Sequence, residues 1–238
     1  MNKRVMDLKK VEVWDGNMAN SQALRQADVD VIAAYPITPS TATVENYCMF
    51  HANGYIDGEV IMTESEHAAM SACIGAGAAG GRVATATSSQ GLALMIETLY
   101  QASGMRIPVV LCLVNRALAA PLNVNGDHSD LYLTRDSGWI SIDAFSPQEA
   151  YDMTLMSFKI SEHPAVRLPV ISNQDGFMTS HTAQNVTPLE DDVACKFVGD
   201  YLQVNALLNF DKPVTHGVQT EQDWHFEHKA KQHAALMG

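Results

Sequence analysis

The sequence alternates between short apolar runs and longer segments that suit a helix, and this alternation constrains its fold more than any other feature. An apolar run of strand length followed by a helix-compatible segment is typical of a β-α unit, and repeated units of this kind build a parallel sheet with helices on both faces. The predicted strands are Val29–Tyr35, Glu59–Thr63, Arg82–Thr87, Pro108–Asn115, Trp139–Ala144 and Val166–Ser172. The predicted helices are Asn17–Gln26, Thr41–Asn53, Glu64–Ala79, Leu92–Ser103 and Pro147–Glu162. The sequence therefore predicts an α/β fold.

The alternation weakens after about Asn185. With 238 residues, of which 47% are hydrophobic, the chain can bury a large core, either as one α/β domain or as one domain with a short extension. We predict a domain over residues 1–185 and an extension over residues 186–238 that packs on a neighbouring domain or subunit. Within the extension a modest helix is predicted at Glu190–Leu208, followed by a polar tail rich in histidine.

Charge and cysteine spacing exclude several classes of partner. The formal net charge of −12 argues against nucleic acid or an anionic membrane, because neither is attracted to so negative a surface. The four cysteines are widely scattered, without the spacing of a zinc or iron–sulfur site, and the histidine-rich tail has no supported ligand pattern, so no metal site is predicted. No apolar run reaches the roughly 18 residues of a membrane span. We expect a cytoplasmic protein.

A glycine-rich segment from Gly75 to Gly80 fits the GxGxxG pattern of dinucleotide-binding loops. A dinucleotide fingerprint must follow a strand and open a helix. Here the glycines follow a helical pattern and precede a predicted strand. The pattern therefore indicates close helix packing rather than nucleotide binding.

Ligands of open α/β sheets bind beyond the carboxyl ends of the strands. The first such loop runs from Tyr35 to Ser40, where Pro36 and Pro39 restrict the backbone. This stiffness would suit a loop that presents the hydroxyl of Thr38 at a fixed place. An ordinary strand-to-helix turn, with Ser40 or Thr41 as the helix N-cap, is the interpretation that the loop by itself favours.

Two further strand ends carry charged residues with more than one interpretation. Glu66 follows the second predicted strand, where it could form a capping box with Thr63 or face a pocket and transfer protons. Arg116 follows the apolar strand that ends near Asn115, where it could bind a small carboxylate through two parallel hydrogen bonds or lie in solvent. Position along the chain does not separate these alternatives.

Taken together, a series of segments resembles the N-terminal domain of the 2-oxoacid:ferredoxin oxidoreductase family, which includes the pyruvate:ferredoxin oxidoreductases. The similarity covers roughly residues 11–185. The segments are, in order, YPITPS at 35–40, ESEHAA at 64–69, TSSQGL at 87–92, VNRA at 114–117, GDHSD at 126–130, RDSGW at 135–139 and DGFMTSH at 175–181. Several distinct motifs in one order make a chance match an inadequate explanation.

The resemblance implies a thiamine-diphosphate-binding fold in which this chain holds the pyrimidine half of the cofactor. It implies that Glu66 hydrogen-bonds the pyrimidine ring and promotes proton removal from the reacting carbon of the cofactor. It implies that Thr38 and Arg116 contact the 2-oxoacid, with Arg116 on its carboxylate. The cofactor-binding residues that it implies are Glu66, Pro36, Ile37, Ser89 and Gln90.

The reaction implied is oxidative decarboxylation of a 2-oxoacid with CoA to acyl-CoA and CO2. The chain lacks a Gly-Asp-Gly motif followed by Asn, and Gly126–His128 is only a partial match, so the resemblance assigns magnesium and the diphosphate to a beta subunit. It likewise assigns [4Fe-4S] clusters to iron–sulfur and gamma-type subunits that pass electrons to ferredoxin or another acceptor. Family chains continue into a second domain, so we expect this chain to be a truncated or separately encoded domain.

The substrate side chain stays open. The segments at 127–130 and 135–139 look most like those of multi-subunit pyruvate, 2-oxoisovalerate and arylglyoxylate enzymes. Alternatives to the acyl-CoA-forming enzyme are an arylglyoxylate oxidoreductase of the same family, a non-oxidative enzyme of transketolase type, and an inactive scaffold with the same fold. Retention of Thr38, Glu66 and Arg116 argues against the scaffold.

Overall fold

The computed structural model describes residues 3–217 and 219–237 as eight strands and eight helices. The strands are β1 (Glu12–Trp14), β2 (Val31–Ala34), β3 (Glu59–Met62), β4 (Val83–Thr87), β5 (Val110–Val114), β6 (Ile140–Ala144), β7 (Val170–Gln174) and β8 (Gln184–Val186). The helices are α1 (Gly16–Gln26), α2 (Thr41–Ala52), α3 (Glu66–Ala79), α4 (Ser89–Gly104), α5 (Ser129–Tyr132), α6 (Pro147–Glu162), α7 (Asp191–Val198) and α8 (Gln222–Met237).

Six strands form one wholly parallel sheet in the order β3-β2-β4-β5-β7-β6. The chain first moves outward from β2 to β3 and then crosses back over β2 to β4, so the order reverses between β2 and β4. The central strands β4, β5 and β7 are buried along their whole length. β4 and β5 consist of apolar or small residues, whereas β7 ends in the buried polar residues Asn173 and Gln174. The predicted parallel α/β fold with helices on both faces is confirmed.

Each face of the sheet carries its own apolar core. On one face, α1, α2 and α6 pack around the buried aromatic residues Tyr47, Tyr151 and Phe158. On the other face, α3 and α4 pack on the sheet through residues such as Met70 and Leu99. The glycines of the GxGxxG pattern lie within α3 or at its C-terminal end. Gly77 packs closely against Ile107, as the sequence indicated, whereas Gly75 is exposed with no neighbour near its Cβ position.

Element boundaries differ from the predictions where the backbone cannot continue an element. The strand predicted at Val166–Ser172 begins only at Val170, because Arg167 has φ of +45° and Pro169 has no N–H for the ladder. The helix predicted at Glu190–Leu208 is wrong over most of its length, since α7 ends at Val198 and Gly199 follows at φ of +84°. Elements missed from the sequence are the antiparallel β1–β8 pair, the short α5, and α8 in the histidine-rich tail.

The residues of the predicted extension lie against the main domain of the same chain. α7 packs on α6 and α1, and α8 lies against α4. The predicted boundary at 185 falls inside β8. Contact of this segment with a neighbouring subunit stays a prediction. Over residues 3–217 and 219–237, no helix combines the length and the apolar character that a membrane crossing requires.

Candidate functional site

The carboxyl ends of β2, β4 and β5 meet where the strand order reverses, which is the position of ligand sites in open α/β sheets. Three loops converge there: Tyr35–Ser40 after β2, Ser88–Ser89 between β4 and α4, and Asn115–Arg116 after β5. Side-chain hydrogen bonds connect all three loops. The sheet topology therefore assembles residues that are up to about eighty positions apart in sequence.

Arg116 lies at the centre of this convergence and is only 8% exposed. Its Nη1 donates to the carbonyl oxygen of Thr38 at 2.8 Å, and its Nη2 donates to Oε1 of Gln90 at 2.8 Å. Its Nε is buried and has no hydrogen-bond partner among the described residues. The alternative of a solvated arginine at a strand end is therefore wrong, and each terminal nitrogen of the guanidinium keeps one N–H beyond these two bonds.

The loop after β2 reaches Arg116 through its backbone. The carbonyl of Pro39 accepts a hydrogen bond from Nδ2 of Asn17 at 3.0 Å, so the loop is held from both sides. Ser40 is the residue before α2 but makes no side-chain cap, and its hydroxyl instead donates to the carbonyl of Ile37. The side chain of Thr38 is exposed at the site, as is that of Pro36, while Ile37 is half-buried.

The first turn of α4 carries two further residues of the site, Ser89 and Gln90. Ser89 is fully buried with φ of +47°, and its Oγ lies 2.6 Å from Oε1 of Gln90 and 2.7 Å from the carbonyl oxygen of Ala117. The amide oxygen of Gln90 is thus fixed by Ser89 on one side and by Arg116 on the other. The sequence placed the start of this helix at Leu92, three residues too late, because the polar residues before it were assigned to the loop.

Glu66 is the first residue of α3 and is 6% exposed. The capping box with Thr63 is wrong, because Ser65 is the N-cap and accepts a hydrogen bond from the backbone N–H of Ala68 at 3.2 Å. The hydroxyl of Thr63 instead contacts backbone carbonyls. Glu66 makes no side-chain hydrogen bond or ion pair with any other residue that the structure describes. The residue is therefore largely buried, while its carboxylate forms no hydrogen bond in the described part of the chain.

Glu66 approaches α4 at Gly91, next to Gln90. A Cβ at Gly91 would lie 2.6 Å from Oε1 of Glu66 and 2.4 Å from Oγ1 of Thr87, so only glycine permits this approach. The Thr87 hydroxyl is buried and has no hydrogen-bond partner in the described part of the chain. Consecutive residues of α4 therefore contact Arg116 and Glu66, which brings both predicted charged groups to one site.

Asp130 is a site residue to which the sequence assigned no role, although it ends the GDHSD segment. It is fully buried on α5, and its carboxylate accepts hydrogen bonds from the backbone N–H groups of Ser89 and Arg116 at 2.9 and 3.0 Å. Burial raises the pKa of this carboxyl above its usual range, against the opposing effect of the hydrogen bonds. The sequence did not predict its burial, because Asp130 belongs to a polar, turn-rich segment.

No group of three or more histidine, cysteine, aspartate or glutamate residues is placed to hold a metal ion within residues 3–217 and 219–237. Thr38, Glu66, Ser89, Gln90 and Arg116 all lie at the site. Pro36 and Ile37 belong to the loop whose Thr38 carbonyl accepts a hydrogen bond from Arg116, and this bond connects the loop to the site.

A parallel sheet with helices on both faces, and polar side chains gathered where its strand order reverses, defines a ligand-binding α/β domain. Residues 22–237 match a family model described as pyruvate flavodoxin/ferredoxin oxidoreductase, thiamine diphosphate-binding, and the chain belongs to this family.

Similar proteins carry related names. The chain is 48% identical over 221 residues to pyruvate synthase subunit PorA of Thermotoga maritima, covering 93% of this chain and 56% of that protein. It is 41% identical over 227 residues to ketoisovalerate oxidoreductase subunit VorA of Pyrococcus furiosus, covering 95% of this chain and 57% of that protein. The chain therefore spans just over half the length of these curated relatives.

A solved structure has a similar fold. It is a 2-oxoglutarate:ferredoxin oxidoreductase from Magnetococcus marinus with 2-oxoglutarate, coenzyme A and succinyl-CoA bound. The TM-score is 0.70 at 26% sequence identity, and the match covers 80% of this chain and 34% of that one.

Proposed function

We propose that this chain is the pyrimidine-binding part of a thiamine-diphosphate-dependent 2-oxoacid:ferredoxin oxidoreductase, which forms acyl-CoA and CO2 from a 2-oxoacid and CoA. The observation that carries the proposal is the pair of buried charged groups, Glu66 and Arg116, that contact adjacent residues of α4 without an ion-pair partner among the described residues. The names of the relatives support the same class of reaction.

The residues present fit the pyrimidine half of thiamine diphosphate. A buried carboxyl without a partner is suited to a hydrogen bond with a ring nitrogen, and the hydroxyl of Thr87 beside it also lacks a partner. Glu66, Pro36, Ile37, Ser89 and Gln90 would hold the cofactor at this site. When bound, thiamine diphosphate supplies a nucleophilic carbon and an electron sink for decarboxylation.

The task of Glu66 in this proposal is to hold a proton at the pyrimidine ring nitrogen. Its place at the start of α3 puts the side chain beside the partial positive charge of the helix N-terminus. Its burial keeps water from competing for the hydrogen bond. Both properties suit proton transfer by a positioned carboxyl.

Arg116 would bind the carboxylate of the 2-oxoacid. Thr38 and Gln90 hold the two terminal nitrogens of the guanidinium in place, and each of these nitrogens keeps a second N–H that would donate to the substrate. The exposed side chain of Thr38 lies at the mouth of the same site, where its hydroxyl can contact the keto group. A fixed guanidinium orients a planar carboxylate better than a mobile one.

The rest of the enzyme would lie on other subunits: a beta subunit with magnesium and the diphosphate site, and iron–sulfur and gamma-type subunits with [4Fe-4S] clusters that reduce ferredoxin or another acceptor. Exposed apolar side chains beside the site, Tyr35 and Met62 at the ends of β2 and β3, offer a surface for such a partner. Aromatic residues and methionine are enriched in interface cores. The complex would act in the cytoplasm.

The test is to purify the native complex and assay it with CoA, a viologen dye, and in turn pyruvate, 2-oxoisovalerate and phenylglyoxylate. We expect dye reduction that requires both CoA and a 2-oxoacid, with pyruvate or the branched acid preferred in line with the relatives. CoA-independent dye reduction with phenylglyoxylate alone would favour the arylglyoxylate enzyme. Turnover of a 2-oxoacid without electron transfer would assign the complex to the non-oxidative class instead.

A further inference from the structure

We propose that Asp130 is the positioning residue of the 2-oxoacid site: its buried carboxylate fixes the backbone of Arg116 and Ser89 so that the guanidinium and Gln90 face the substrate. This inference rests on the proposed function of Arg116. It assigns to Asp130 no contact with substrate or cofactor.

The carboxylate of Asp130 is saturated by the protein itself. Oδ2 accepts from the backbone N–H of Ser89 at 2.9 Å and from that of Arg116 at 3.0 Å. Oδ1 accepts from Nδ2 of Asn115 at 2.8 Å and from the backbone N–H of Leu131 at 2.8 Å. A single side chain therefore joins the end of β5, the start of α4 and α5.

Only an ionised carboxylate matches four donors in this way. Both of its oxygens accept hydrogen bonds, whereas an asparagine presents one oxygen and an NH2 group. In an Asp130→Asn variant the new NH2 group faces either the backbone N–H groups of Ser89 and Arg116, or Nδ2 of Asn115 and the backbone N–H of Leu131. In the second orientation the Asn115 amide can turn to present Oδ1, which has no partner among the described residues, but the N–H of Leu131 still loses its acceptor. Ser89 and Arg116 are buried, so in the first orientation water does not replace the lost acceptor.

The residues that Asp130 holds need such a restraint. Ser89 has φ of +47°, a left-handed conformation that residues other than glycine keep only where the surrounding contacts enforce it. The hydroxyl of Ser89 in turn holds the amide of Gln90, which is the acceptor for Nη2 of Arg116. Arg116 is thus oriented from Asp130 by two routes, directly through its backbone and indirectly through Ser89 and Gln90.

The experiment is a double-mutant cycle in the assembled complex, with KM for the 2-oxoacid and kcat measured separately for Asp130→Asn, Arg116→Ala and the double variant. We expect Asp130→Asn to raise KM about tenfold with a smaller change in kcat. In the Arg116→Ala background the same substitution should change KM less than about twofold, because its effect passes through Arg116. A purely structural role would give equal factors in both backgrounds and would overturn the proposal.

The matched control is Asp127→Asn, which removes the same charge from the same loop. Asp127 is exposed and accepts from the backbone N–H of Ser129, a bond that asparagine also makes, so KM should not change. If Asp130→Asn does not assemble, Asn115→Ala removes one of the four donors and leaves the carboxylate in place. A smaller rise in KM supports the proposal in that case, and an unchanged KM contradicts it.

The substrate role of Arg116 and the positioning role of Asp130 can be disproved independently. If Arg116→Ala itself leaves KM for the 2-oxoacid unchanged, the substrate role of Arg116 is wrong. If Arg116→Ala raises KM but Asp130→Asn does not, only the positioning role of Asp130 is wrong.

Discussion

The buried arginines at the two ends of the parallel sheet differ in their hydrogen-bond partners. At the amino end of β4, Arg82 is 7% exposed and donates to both carboxylate oxygens of Glu162 at 2.7 and 2.8 Å. At the carboxyl end of β5, Arg116 is 8% exposed, but its side chain donates only to an uncharged carbonyl and an amide oxygen. Arg82 also bonds the carbonyls of Ala27 and Gly199, whereas Nε of Arg116 has no partner among the described residues.

The buried acidic residues at the two ends of the sheet show the same difference in pairing. Glu162 at the amino end is paired with Arg82, whereas Glu66 at the carboxyl end has no ion-pair partner within residues 3–217 and 219–237. A buried charge without a partner destabilises the folded state. Such an arrangement is typical of residues that act on a ligand rather than on the fold. The comparison therefore separates charges that the fold pairs with each other from charges that it leaves unpaired at the candidate site, within the described residues.

The largest expected effect tests Glu66, the unpaired acid. Glu66→Gln keeps the shape of the side chain and removes the acid, so decarboxylation by the assembled complex should fall by about a thousandfold. Because Glu66 makes no side-chain hydrogen bond with the described residues and a buried unpaired charge destabilises the fold, the melting temperature should not fall and should rise slightly. CO2 release and thermal melting measure the two quantities.

The matched control for this substitution is Glu64→Gln, two residues earlier and exposed, which should leave both the rate and the melting temperature unchanged. Full turnover by a correctly assembled Glu66→Gln complex would remove the catalytic assignment of Glu66.

The next effect concerns Arg82, the paired base. Arg82→Ala leaves Glu162 buried without its partner and removes two backbone hydrogen bonds, so the free energy of unfolding should fall by about 3–5 kcal/mol. The guanidinium also lies over the rings of Phe158 and Tyr201, at 5.9 and 5.8 Å from their centroids, and this packing is lost as well. Urea unfolding of the chain gives the measurement.

Arg135→Ala is the control for Arg82→Ala, because among the described residues the exposed Arg135 pairs only with its exposed neighbour Asp136 and should contribute no measurable stability. Equal unfolding curves for the two variants would mean that the pairing at the amino end does not stabilise the domain.

The sequence predicted the sheet well because several of its strands are apolar runs, as at Val110–Val114, which is buried along its whole length. It also placed Glu66 and Arg116 beyond the carboxyl ends of strands, where the structure has them, although β3 before Glu66 is a largely exposed edge strand. It did not reveal which buried charges are paired. Arg82 and Glu162 are eighty residues apart, and only the fold shows that they meet.

The missed role of Asp130 has a similar cause. Its segment has the polar, turn-rich composition of an exposed loop, and the four donors that surround it come from three separate elements of the fold. The local signal for the N-cap of α3 was also ambiguous, because Thr63 and Ser65 both precede the helix and only backbone geometry selects Ser65. Tertiary hydrogen bonding is thus the part of the site that composition and periodicity leave undetermined.

The smallest expected effect comes from replacing each of the two arginines, Arg116 and Arg82, by lysine. Lysine keeps the positive charge but loses the planar arrangement of donors, so Arg116→Lys should raise KM for the 2-oxoacid about tenfold and alter the melting temperature little. Arg82→Lys should do the reverse, because a single ammonium group cannot serve Glu162, Ala27 and Gly199 in the geometry of the guanidinium. Steady-state kinetics and thermal melting of both variants provide the measurement. If Arg116→Lys instead lowered the melting temperature as much as Arg82→Lys while KM stayed constant, Arg116 would be a structural residue like Arg82, and the distinction between the two ends of the sheet would fail.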